Sequence, residues 1–125
     1  MHSKLDHPGT LQLSETRFEP SGLTLAVGGE LDVATAPVLR DRLCAAREFG
    51  VDRAIIDIRA VTFMDSIALA AIVNVGKQLE GRMAVVVDPE SYAMLILEVS
   101  GLPAALNIVE SVEAAHAQLG SSVSA

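Results

Sequence analysis

An aspartate and a serine stand side by side in VTFMDSIALAAI, residues 61–72, with apolar residues on either side. Asp65 and Ser66 are of types that can do chemistry. A serine hydroxyl becomes a nucleophile when a base takes its proton and a third group orients that base. The histidines are His2 and His7, near the start, and His116, in a helical pattern near the end, so no base stands near Ser66 in the sequence. His116 itself reads as a solvated helix residue. The pair also has a structural role open to it, because Asp and Ser both cap helix N-termini and a cap contributes about 1 kcal/mol. A cap needs only one of the two. The residues that follow are Ile67, Ala68 and Leu69, where an exposed helix start usually carries acids. A hydroxyl inside an apolar collar suggests a contact surface.

A second polar cluster is GGELD, residues 28–32, where Gly28 and Gly29 mark a bulge or bend. Taken alone, Glu30 and Asp32 read as a solvated strand end. Sequence signatures of enzymes and cofactor sites are missing: no GxSxG, GxGxxG, GK[ST] loop, HExxH or CxxC occurs. The chain therefore reads as a non-enzyme with no cofactor and no metal. A small hydrolase using Ser66 ranks last among the readings.

Two kinds of pattern alternate along the chain and would position these residues. LQLSETRF (11–18) alternates apolar and polar as a half-solvated strand does, and LTLAVGGELD (23–32) follows a Pro20-Ser21-Gly22 turn, which predicts a hairpin. In ATAPVLRDRLCAAREFG, Val38, Leu39, Leu43, Ala46 and Phe49 recur at helical spacing, Thr35 is the expected N-cap, Pro37 suits the first turn and Gly50 supplies a stop. RAIIDIRAV (53–61) and RMAVVV (82–87) are nearly continuous apolar runs, as in strands covered on both faces. Between them a helix is expected over about 66–80, giving a right-handed crossover between parallel strands. Its first turns are apolar nearly all round, wider than the stripe of roughly 100° that one core needs. A helix over 90–100 ending at Gly101, a strand in LNIVES and a helix in VEAAHAQLG complete an α/β domain.

The 125 residues suit one domain, read as a flexible N-terminus (1–10), a domain (11–120) and a flexible tail (121–125). A formal charge of -7, 3% aromatic residues and no Trp oppose binding to nucleic acid. The longest apolar run, IALAAIV, is far too short to span a bilayer, and the first residues carry no apolar signal segment, so no membrane insertion is expected. Cys44 stands alone and fits a reduced, cytoplasmic protein.

GELDVATAPVLRDRL, AIIDIRAVTFMDSIAL and VSGLPAALNIVESVEAA resemble, in order and spacing, the STAS domains of bacterial anti-sigma factor antagonists, across roughly residues 10–119. The resemblance implies a STAS-like mixed sheet of about five strands with about four helices packed on it. It also implies a role for Ser66, which matches the family's serine phosphorylated by an anti-sigma factor that is itself a serine kinase. In that scheme the unphosphorylated protein binds the anti-sigma factor and frees a sigma factor, ATP is bound by the partner, and phosphorylation ends the binding. Asp32 would lie near Ser66, Asp65 would shape the loop, Ile67, Ala68 and Leu69 would complete the partner-binding surface, and Gly101 would end a helix. A phosphatase is a further partner the scheme admits, and the protein would be a monomer or weak dimer. The family usually has a glycine two positions after the serine and a small residue one position after it; Ala68 and Ile67 stand there, adding bulk where a kinase must approach. The alternative is a STAS scaffold or transporter-associated subunit in which the surface docks constitutively and Ser66 is only a cap.

Overall fold

The structure is a computed structural model and describes residues 2–7, 11–101 and 106–120. The alternating segment forms β2 (Leu11–Phe18), which pairs antiparallel with β3 (Gly22–Leu31) as the expected hairpin. Ahead of it, part of the segment expected to be flexible forms an edge strand, β1 (His2–His7), antiparallel to β2. After β3 the pattern switches to crossovers. Helix α1 (Ala36–Glu48) leads to β4 (Arg53–Met64), α2 (Ser66–Gln78) to β5 (Met83–Val86), and α3 (Tyr92–Ser100) to β6 (Ile108–Val109). The neighbours β3/β4, β4/β5 and β5/β6 are all parallel, so the six strands stand in the sheet in chain order. The last helix, α4, is Val112–Leu119.

Crossovers that run in one direction and share one hand leave their helices on one face of the sheet. Leu39 and Leu43 of α1, Leu69 and Ile72 of α2, and Leu97 of α3 accordingly share one core with Leu25, Ile56, Met64 and Val85 of the strands. Fully burying each such side chain contributes about 1.5–3 kcal/mol. Phe49 has the spacing of the α1 core residues but falls at the helix C-cap, where it stays 81% exposed.

The opposite face has a smaller apolar cluster, in which Phe18, Ile55, Ala84, Val86 and Ala115 meet under α4. His116 belongs to this layer, contrary to the expectation of a solvated position: it is 3% exposed, and its ring meets Phe18 edge-on at 4.6 Å. Burial holds the imidazole below its ordinary pKa, and the Glu113 charge only partly opposes that. Gly22 makes the arrangement feasible, since a Cβ there would lie 2.1 Å from the Phe18 ring. Beyond α4 this face is open, a depression of about 490 Å³ whose mainly apolar lining also carries Gln12, Ser14, Asp57 and Arg59.

Candidate functional site

The two polar clusters meet at the C-terminal ends of β3 and β4. Parallel pairing sets Leu31 opposite Met64, so the chain leaves both strands at the same level and Asp32 and Asp65 begin adjacent loops. That register follows irregularities in the β3/β4 pairing between Ala26 and Gly28 and between Gly29 and Glu30, with Gly29 at φ 87°, as the double glycine suggests.

Asp65 is the N-cap of α2: its Oδ1 accepts from the Ala68 amide at 2.9 Å. Its other oxygen, Oδ2, accepts from the Val33 amide of the neighbouring loop at 3.2 Å, and its own amide donates to the Leu31 carbonyl at 3.3 Å. One carboxylate thus staples the β3–α1 loop to the start of α2. Asp32 turns into its own loop, where Oδ1 accepts from the amides of Ala34 at 2.9 Å and Thr35 at 3.1 Å. Thr35 holds the N-cap position of α1 without capping it through its side chain. Its buried hydroxyl instead donates to the Glu30 carbonyl at 2.8 Å and accepts from the Asp32 amide at 2.9 Å.

Ser66 is the first residue of α2 and is exposed. The cap decides which way the residues after it face. Ile67 points outward and is 52% exposed, while Ala68 and Leu69 are buried. Those last two, expected at the partner-binding surface, are core residues that support the helix start from beneath. The Ala68 side chain is wholly buried, so its methyl adds no bulk at the surface, whereas the Ile67 side chain does. The outer face of α2 continues with exposed Ala70 and Asn74, opposite the buried stripe of Ala68, Leu69, Ile72 and Val75.

Of the residues expected to act together, Asp32 and Asp65, at the adjoining ends of β3 and β4, and Ser66 and Ile67, in the first turn of α2, fall at one junction. The sequence reading missed Val33, 65% exposed beside this junction, and Phe63, which stacks on Tyr92. Contacts between separate elements leave no local signal, although an apolar Val33 inside a polar turn is unusual enough to notice.

The arrangement presents a hydroxyl at a positive helix end, and among the described residues no histidine is shown bonded to it. The first amides of α2 have no acceptor within the helix, so added negative charge on Ser66 meets a favourable field. His116, the histidine whose surroundings the structure describes, is committed to the Phe18 contact under α4. Among the described residues no cluster of His, Cys, Asp and Glu could hold a metal ion, and no helix is long and apolar enough to cross a membrane.

Comparison with known proteins agrees with this architecture. The STAS domain family model matches residues 14–115. The anti-sigma-B factor antagonist of Staphylococcus aureus (strain NCTC 8325 / PS 47) is 29% identical over 106 residues, covering 79% of this chain and 94% of that protein. Among solved structures, an anti-sigma factor antagonist from Mycobacterium paratuberculosis superposes with a TM-score of 0.79 at 21% identity, covering 93% of this chain and 99% of that one. The Bacillus cell fate determinant SpoIIAA in its phosphorylated form gives 0.61 at 19% identity, covering 81% and 92%. With a six-strand sheet in chain order, a capped serine at the start of α2 and a family match over most of its length, the chain belongs to the STAS domain family.

Proposed function

We propose that this protein is an anti-sigma factor antagonist controlled by phosphorylation of Ser66. Unmodified, it binds an anti-sigma factor that is also a serine kinase, and a sigma factor is freed; phosphorylated, it lets the partner go. The placement of Ser66 carries this proposal, as an exposed hydroxyl on the first residue of a helix, beside a loop pinned by Asp65, in a chain similar to an anti-sigma-B factor antagonist. The neighbour solved in phosphorylated form supports it by showing that such a fold accommodates phosphate. The protein acts as a substrate and binding module in the cytoplasm, and the kinase brings ATP.

Magnitudes explain how one phosphate could end binding and leave the fold alone. It adds about -1.5 to -2 charge. At the start of its own helix that charge gains roughly 0.3–1 kcal/mol from the dipole. Inside an interface, one like-charge contact at about 5 Å with an effective dielectric near 20 costs about 3 kcal/mol, on the order of a hundredfold in affinity. Desolvating the phosphate against Ile67 would add to this.

Incubation with the anti-sigma factor kinase of the same genome and ATP, followed by mass spectrometric mapping, tests the assignment. Phosphate is expected on Ser66 and none on the Ser66→Ala variant. Phosphate elsewhere, or none while the partner binds tightly, would favour the constitutive scaffold.

A further inference from the structure

Helix α3 carries an apolar strip that the core does not use. Tyr92, Leu95 and Val99 are spaced three and four residues apart, hence on one side of the helix, and are 43%, 52% and 79% exposed. Ala93 and Leu97 fill the buried side, so the strip faces away from the sheet. Phe63, 40% exposed near the end of β4, stacks on Tyr92 with ring centroids 5.7 Å apart and an interplanar angle of 15°. This pair joins the strip to the switch junction, because Phe63 is followed in the chain by Met64, Asp65 and Ser66. Single exposed apolar residues are ordinary, whereas several on one contiguous surface mark an interaction site.

The charges that flank the strip along the chain have one sign. Arg82 is the last lysine or arginine in the chain, and after it come Asp88, Glu90, Glu98, Glu110 and Glu113. Asp88 and Glu90 precede α3 and Glu98 lies between Leu95 and Val99, all three exposed. A second copy of this chain would bring the same acids face to face, a like-charge arrangement that opposes pairing. A partner offering an apolar ridge flanked by lysine and arginine would complement both features.

We infer that Phe63, Tyr92, Leu95 and Val99 form an anchoring surface for the same anti-sigma factor kinase, whose facing surface is an apolar ridge with a basic rim. This rests on the Ser66 assignment above and adds a division of labour to it. Ser66 governs release, and α3 sets the affinity on which release operates. The phosphate sits at the start of α2, so the anchor contributes equally to both states of the switch.

The test is calorimetric titration of the purified kinase with the wild type and a Leu95→Gln/Val99→Gln double variant, each unmodified and phosphorylated, with sedimentation of the antagonist alone. Both positions are solvent-exposed and glutamine is a good helix former, so the variant should melt like the wild type. The variant is expected to bind at least about tenfold more weakly in both states, with an unchanged ratio between them, as loss of an apolar anchor worth about 1.4 kcal/mol or more requires. Added salt should weaken the wild type, and Glu98→Gln should reduce that salt dependence. Equal affinities for wild type and double variant would overturn the anchor, even if phosphorylation still releases the partner. Weaker binding by the variant with no effect of phosphorylation would support the anchor and overturn the switch. A wild-type dimer that the double substitution dissociates would assign the strip to a second copy and overturn the anchor.

Discussion

Ser66, by the phosphorylation proposed above, and His116, by protonation, would each gain charge, and they sit in opposite settings. Ser66 is exposed at the positive end of α2, with one neighbouring carboxylate already occupied by two amides. His116 is buried under α4 with an aromatic edge contact and a pKa already pushed down by burial. The same kind of event should therefore be borne by the fold at one place and resisted at the other. The proposed switch would put its variable charge at the strand ends, outside both apolar layers.

The comparison can be broken first from the buried side. Phe18→Ala should remove about 3–5 kcal/mol of stability by emptying the space over Gly22 and beside His116, and urea unfolding would measure it. Ser66 phosphorylation by the kinase should persist as long as the variant remains folded. On the switch side, Asp65→Ala should cost about 1–2 kcal/mol through the lost cap. It should also raise hydrogen exchange at the Val33 amide, which loses its acceptor. If Val33 exchange is unchanged, the two loops are not coupled through this carboxylate.

The direction of a pH effect sharpens the contrast. The His116 pKa is lowered in the fold, so its contribution to stability is complete above the unfolded value of about 6.5 and is lost as pH falls from there through the folded value. Melting curves between pH 7.5 and 5 should show this loss in the wild type and a shallower dependence in His116→Gln. The smallest effect is expected at Ser66, where phosphorylation should change the unfolding free energy by no more than about 1 kcal/mol, read from the same melts.

What the sequence disclosed depended on how local its cause was. β4 and β5 were legible because strands covered on both faces must be apolar throughout, and the hairpin was legible from alternation around a turn. The capped serine was legible because Asp65 and Ser66 are adjacent in the chain. The strand β1 was not, since HSKLDH has little apolar content and is held by backbone pairing to β2. The inward turn of Ala68 and Leu69 was hidden for another reason: in a helix apolar nearly all round, hydropathy cannot fix which side faces the core, and the Asp65 cap fixes it instead. His116 was misread because a polar residue in an alanine-rich helix resembles a solvated one until Phe18, distant in the chain, is brought against it.

Titration calorimetry of the unmodified and the Ser66-phosphorylated protein with the anti-sigma factor kinase tests the central claim most directly. Binding weaker by about a hundredfold after phosphorylation, with the melting curve essentially unmoved, is the predicted result. Equal affinities of the two forms would contradict it, leaving Ser66 as one more residue in the first turn of α2.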